Sequence, residues 1–449
     1  MPIDDLKADV AALMPQARAD LERLVRIPSC AFPGFPSAPV REAADAVVAM
    51  LRDAGVADAR LLDIPDGYPA VYGEIAGRDG APTVLLYAHY DIQPAGKESA
   101  WTSPPYEPVE RDGRLYARGA ADDKSGVIMH VAALRALGDT LGVTVRVIIE
   151  GEEETDSHLG SYVVAHPDLF RADVVISADA GNVRVGKPTL TTALRGVTSC
   201  AVEVRTLKGP VHSGQFGGPA PDALIALSRM IASLHDDRGN VALAGLQSGA
   251  WTGGGELSEN GFRRGAGVVD GAELIGDGSI ADRLWSKPSV NVIGIDAPPF
   301  EGAANALVPV ARARVSLRVA PGEDVRKARD LMIEHLRKAA PWGVQVTITA
   351  GGAGPGFAAK TDGPAYAAAK RALDAVFGVE TIMGGAGGTI PLMNVFQHVS
   401  PDAEIITWGA EDGAAAIHAP DESVDLGELE RMILAEAVLL EDLAASHKR

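Results

Sequence analysis

Between residues 39 and 178 the chain switches repeatedly between two periodicities, and that alternation limits the fold more than any other feature. Short apolar, β-branched runs at 70–76, 83–88, 143–149 and 173–178 are interspersed with helical patterns at 39–54, 124–138 and 158–166. Strands alternating with helices predict a mostly parallel sheet flanked by helices. Ahead of them Leu6, Val10, Leu13, Ala17, Leu21 and Leu24 recur at steps of three and four before Pro28, the face of one amphipathic helix.

The period changes after the Gly/Pro-marked stretch 181–188. Residues 196–206, 289–296, 308–319 and 344–350 read as strands, with helical patterns at about 220–236 and 323–340 between them. The order βαββαβ is that of a ferredoxin-like α+β unit. Residues 238–288 interrupt it as a long, Gly-rich surface excursion. GGAGPG at 351–356 marks a second boundary, after which helix 362–377, strand 404–408 and helix 426–445 resume the α/β pattern. The expected organisation is therefore a discontinuous domain, 1–187 and 356–449, with 188–355 inserted into it.

A chain of 449 residues is long enough for two such domains. Its formal net charge of −19 argues against nucleic acid and against anionic membrane surfaces as partners. It leaves room for cations, which clustered carboxylates favour. Cys30 and Cys200 are the only cysteines, in no metal-binding or disulfide spacing. Asp4, Asp5 and Asp9 stand where a signal peptide would be basic, and no apolar run nears the roughly 20 residues of a membrane span. These features predict a cytoplasmic protein.

In an open α/β sheet, function collects beyond the carboxyl ends of the strands. Strand 83–88 runs into His89, Tyr90 and Asp91; strand 143–149 into Glu150, Glu152, Glu153 and Glu154; strand 173–178 into Asp179. Strand 404–408 is followed by a loop holding His418, and Asp122 and Asp123 precede helix 124–138. Taken singly, each has a structural explanation: a loop histidine, a helix cap at Asp123, a solvated acidic turn. Together they bring two histidines and several carboxylates to one rim of one sheet.

The segments YAHYDIQPA, YARGAADDKSG, IIEGEEETDSHLG, ISADAG, LRGV, VHSGQFGG, GGTIP and HAPDE resemble, in this order, the motifs of the carnosinase-type di-zinc metallopeptidases. That superfamily includes cytosolic dipeptidases, aminoacylases and glutamate carboxypeptidases, and the match runs from about residue 24 to about 424. The resemblance implies that His89 and Asp179 hold one metal and Glu154 and His418 another, with Asp122 bridging. It implies Glu153 as general base, Asp91 as the partner that orients His89, and a cis peptide bond after Asp122. Glu150 and Glu152 take no role and are expected to be structural or solvent-facing.

In the inserted domain the resemblance assigns His212 to the oxyanion, acting in trans across a homodimer formed by that domain. Arg318 would bind the substrate carboxylate, with Asn305 and Thr389 as further contacts. The implied cofactors are two divalent ions, zinc in the first place, with manganese or cobalt as alternatives. Relatives often carry an Arg-Glu pair before the Gly-Gly-Ser/Thr loop; Gly385 and Ala386 stand there instead. The implied function is a metal-dependent hydrolase of dipeptides with a free C-terminal carboxylate. An N-acyl or N-carbamoyl amino acid amidohydrolase, or a non-catalytic metal- or peptide-binding protein, remains an alternative. No GxSxG elbow, P-loop or HExxH helix supports a serine hydrolase, an NTPase or a zincin.

Overall fold

The computed structural model describes residues 2–254 and 257–446. The chain divides into two units: Met1–Thr192 with Ala359–Gly384 and Leu392–Arg449, and Ala193–Ala358 with Gly385–Pro391. The short stretch Gly385–Pro391 thus groups with the second unit, although its neighbours on both sides belong to the first.

The first unit is built on a six-stranded sheet in the order Arg60–Leu62, Ala70–Ile75, Thr144–Glu150, Thr83–His89, Val174–Ser177, Glu404–Thr407. The last four strands run parallel, whereas Arg60–Leu62 and Ala70–Ile75 are antiparallel to their neighbours. The strand at Arg60–Leu62 is too short and too exposed to announce itself as an apolar run. The parallel strands are continuously hydrophobic because both faces are covered: Leu86, Val147 and Ile176 on one face and Leu85, Ile148 and Val175 on the other are fully buried. Truncating Leu86 to Ala would cost about 2–5 kcal/mol in lost transfer energy and cavity.

Helix Ile3–Val25 buries Leu6, Val10, Ala17, Leu21 and Leu24 and stops three residues before Pro28. Helix Lys124–Leu137 is buried on almost every side. At its start the Lys124 ammonium donates to the carbonyls of Leu24 and Ile27 at 2.9 and 2.8 Å. Burial pulls its pKa down to about 7. This contact ties the end of the first helix to the residues that follow Asp122.

The second unit has a four-stranded antiparallel sheet in the order Ser289–Asp296, Val310–Val319, Gly196–Arg205, Gln345–Gly354. Numbered along the chain this is 2-3-1-4, the ferredoxin-like order that βαββαβ predicts. Alternate residues of Gly196–Arg205, among them Cys200, Val202 and Val204, are buried in one core with Leu227, Met230, Met332 and Leu336 from helices Ala223–Ala232 and Val325–Ala339. Both helices begin where an aspartate accepts from backbone N–H: Asp222 from Ile225, Asp324 from Arg326 and Lys327. The 238–288 excursion is tethered, since Ile280 and Trp285 are buried and Asp282 accepts from Trp251 N at 2.7 Å.

Candidate metal centre

In the first unit, the parallel strands deliver their ends to one place. The ladder between Thr83–His89 and Thr144–Glu150 closes at His89 and Glu150, and Tyr90 N donates to Glu150 O at 2.8 Å. The chain then turns at Gly151, where a Cβ would collide with the Tyr90 hydroxyl, so only glycine lets the glutamate run follow the strand so closely. Asp91 caps that run: its two carboxylate oxygens accept from Glu153 N and Glu154 N, each at 3.0 Å. Its backbone carbonyl is 3.1 Å from His89 Nδ1, with one carboxylate oxygen at 3.4 Å. Asp91 therefore positions the acidic turn through its carboxylate at least as firmly as it orients the imidazole.

Asp122 is presented by a loop held from below. Glu422, fully buried, accepts from Gly119 N at 3.0 Å, Ala121 N at 3.0 Å, Asp122 N at 3.1 Å and Arg118 Nη1 at 2.5 Å. Strand Ser423–Asp425 pairs with Arg114–Tyr116, so the Asp122 loop and the His418 loop are joined by one small sheet. The Asp122–Asp123 peptide bond is cis. His418 lies in the left-handed region with φ of 61°, a conformation costing an L-residue about 1–2 kcal/mol. Such strain is retained where the surroundings over-determine it, and it turns the ring toward Asp122.

The donor atoms form two overlapping groups. Those of His89, Asp122 and Asp179 lie within 4.8 Å of one another, and so do those of Asp122, Glu154 and His418. Asp122 is common to both: one oxygen is 3.0 Å from His89 Nε2 and the other 2.9 Å from His418 Nε2. His418 Nε2 is also 3.3 Å from Glu154.

The electrostatics call for positive charge. Burial, with Asp122 and Glu154 nearby, pushes Asp179 up to about 7. Burial and Asp179 push Glu153 well above the usual carboxylate range. Burial would lower His418, but Asp122 and Glu154 outweigh it and raise it to about 10. Asp122 is lowered because the two histidines overcome its burial. Glu154 Oε1 is buried without a hydrogen-bond partner, while Gln93 Nε2 donates to Oε2 at 2.7 Å. An orphaned carboxylate oxygen, crowded acids and imidazole nitrogens on one shared aspartate fit a pair of borderline divalent cations.

A family model described as peptidase family M20/M25/M40 matches residues 85–442. The chain belongs to that family. Among curated proteins, this M20/M25/M40 peptidase is 41% identical to a cysteinylglycine-S-conjugate dipeptidase of Corynebacterium striatum, over 89% of each chain. It is 30% identical to a human β-Ala-His dipeptidase, over 82% of its own length and 75% of the relative's. Among solved structures it superposes on the dipeptidase Dug1p of Saccharomyces cerevisiae with a TM-score of 0.87 over 99% of both chains at 21% identity, which is a likeness of fold.

The other sequence-predicted residues of this M20/M25/M40 peptidase lie in the second unit. His212 is exposed, accepts from Gly214 N at 3.1 Å, and pairs in a two-residue ladder with Ala306, beside Asn305, whose carbonyl accepts from Ser213 N. Arg318 Nη1 donates to Thr389 Oγ1 at 3.1 Å. Gly385 is explained by packing, since a Cβ there would stand 2.7 Å from Trp285 Cγ.

Of the two outcomes expected for Glu150 and Glu152, structural or solvent-facing, the structural one holds. Glu150 is buried, accepts from Tyr87 Oη at 2.8 Å and from Ser157, and is raised by burial to about 7; Glu152 is 3.0 Å from His158 Nδ1. Sequence reasoning missed Gln93 and Glu422 as parts of the metal centre. HAPDE contains Glu422, but nothing local reveals that an acid four residues after a histidine is turned inward.

Proposed function

We propose that this metallopeptidase-family member hydrolyses dipeptides with a free C-terminal carboxylate, using two divalent cations, zinc in the first place, shared through Asp122. The observation that carries this reading is the pair of donor groups meeting at that one carboxylate, beside a glutamate, Glu153, that is not one of the donors. His89 and Asp179 would hold one ion, Glu154 and His418 the other. Bound there, such ions lower the pKa of water and polarise a carbonyl.

The chain's own residues do the rest. Glu153, its backbone fixed by Asp91, takes a proton from the attacking water and returns it to the leaving amine, a role worth about 10²–10⁴ in rate. Arg318 with Thr389 binds the carboxylate, and His212 of a second subunit steadies the oxyanion, which makes a homodimer part of the reading. The dipeptidase names of the two curated relatives support the substrate class. The acidic charge speaks against nucleic acid and anionic membranes, and no helix among the described residues is long and apolar enough to cross a membrane. The two buried, free cysteines suit a cytoplasmic setting.

The substitution at Gly385 and Ala386 favours keeping a second reading, N-acyl or N-carbamoyl amino acid hydrolysis. The test is amino-acid release from dipeptides and N-acyl amino acids by chelator-stripped protein, with and without zinc or manganese. Metal-dependent release from dipeptides is expected, with Glu153→Gln retaining its metal and losing at least about a hundredfold in kcat. Release only from acylated amino acids would replace the substrate, and an undiminished rate in Glu153→Gln would remove Glu153 as base.

A further inference from the structure

Two arginines of the second unit meet without a counter-charge. Arg195, in the segment LRGV, is buried, and Arg318 is half-buried; among the described residues neither guanidinium is in an ion pair. Arg195 Nη1 donates to Ser289 Oγ at 3.1 Å and, at the edge of reach, to Lys287 O at 3.5 Å. Its Nε is buried with no hydrogen-bond partner. Thr389 joins the two residues, donating to Arg195 O at 2.5 Å and accepting from Arg318 Nη1. Gly387 completes the arrangement: a Cβ there would press within 3.0 Å of Arg195 Nη2. Glycine at 387 thus keeps a side chain from being pressed against that nitrogen.

A buried cation beside another cation is costly unless something anionic offsets it. Burial and the neighbouring Arg318 charge pull Arg195 down to about 10, and burial lowers Arg318 as well. A guanidinium anchored on one nitrogen with Nε left free keeps a fork of parallel donors, the geometry that accepts a carboxylate.

We propose that Arg195 is a second carboxylate-binding residue, so that the substrate's terminal carboxylate is held between the Arg195 and Arg318 guanidinium groups with Thr389 fixing their spacing. This deepens the dipeptide reading and rests on it for the identity of the ligand. Arg195 then discriminates a free acid from its amide, because an amide offers a neutral oxygen and turns donors toward two cations.

The test compares metal-loaded wild type, Arg195→Gln, Arg195→Lys and Arg318→Gln on a dipeptide and on the same dipeptide with a C-terminal amide. Arg195→Gln is expected to raise KM for the free acid at least tenfold, to change kcat/KM for the amide less than threefold, and to be partly rescued in Arg195→Lys. Equal losses on both substrates, or an unchanged KM for the acid, would overturn the proposal. Calorimetric binding of both ligands to Glu153→Gln protein separates this from the hydrolase reading. Preference for the acid that disappears in Arg195→Gln supports the pocket even if nothing is cleaved. An acid-to-amide affinity ratio unaltered by Arg195→Gln, in protein with wild-type melting, refutes it.

Discussion

Replacing Glu422 by Gln asks whether the loop that presents Asp122 depends on one buried carboxylate. Oε1 accepts from Ala121 N and Asp122 N, Oε2 from Gly119 N and Arg118 Nη1. Glutamine has the same shape but one acceptor oxygen and one NH₂, so it serves one pair and turns donors on the other. With its oxygen kept on Ala121 and Asp122, the Gly119 N–H and the Arg118 cation lose their acceptor. An orphaned buried N–H costs about 1–3 kcal/mol, and an ion pair broken from one side about 3–5 kcal/mol. Two facts pull the total toward the low end. Arg118 Nη2 still donates to Ala419 O at 3.2 Å, and burial already holds the Glu422 carboxyl above its usual range in spite of Arg118.

The expected loss is therefore about 4 kcal/mol. At about 2–4 °C per kcal/mol for a large domain, the melting temperature should fall by about 8–16 °C. Scanning calorimetry on chelator-stripped protein reads this without stabilisation by bound metal. A midpoint within about 2 °C of wild type would refute the claim that Glu422 holds the loop.

Asp91→Asn leaves one oxygen for the two N–H groups of Glu153 and Glu154, so metal affinity should drop about 10–100-fold in a competitive chelator titration; unchanged affinity would exclude the capping role. Gly385→Ala forces a methyl against Trp285 and should cost about 1–3 kcal/mol in urea unfolding, relieved when Trp285→Leu is added; purely additive effects would count against the contact. The buried His130–Glu436 pair gives a pH signature. Burial would lower His130, but Glu436, 2.8 Å away, leaves it raised. A folded pKa above the unfolded value of about 6.5 contributes stability that is complete below that pH and disappears as pH rises through the folded value. The stability lead of wild type over Glu436→Gln should thus shrink from about pH 5.5 to alkaline pH, and a lead that grew would reverse the assignment.

Much of this architecture is legible because the chain uses period and punctuation consistently. Continuous apolar runs mark the parallel strands at Thr83–His89, Thr144–Glu150 and Val174–Ser177, and two-residue alternation marks Gly196–Arg205. Strand Arg60–Leu62 was illegible because an exposed three-residue edge buries too little to impose a pattern. The meeting of His89, Asp122, Glu154, Asp179 and His418 followed from the ends of strands and the order of motifs. What holds them in place did not, because support is long-range: Glu422 lies 300 residues from Asp122, whose N–H it accepts. A buried acid looks like a surface acid until its donors are known, which is why sequence alone left Glu150 between a structural and a solvent-facing place.

The departure at Gly385 shows the same limit from the opposite side. Read along the chain, glycine where relatives often carry arginine is a loss. In three dimensions the space beside Gly385 is filled by Trp285, itself packed edge-on against Trp251 with ring centroids 5.2 Å apart. Trp285 and Trp251 come from the excursion 238–288, the stretch whose irregular sequence looked least informative. Asp282 fastens Trp251 by its backbone N–H, and Arg195 Nη1 reaches Ser289 just beyond the excursion. The excursion therefore supplies a wall beside Gly385, and a positive charge in this unit is carried by Arg195 beside Arg318. An arginine at 385 would have to displace Trp285, so the two positions are coupled through one volume. The shape of this part of the second unit rests on the pairing of a glycine with a tryptophan about 100 residues away, a relation that only packing makes visible.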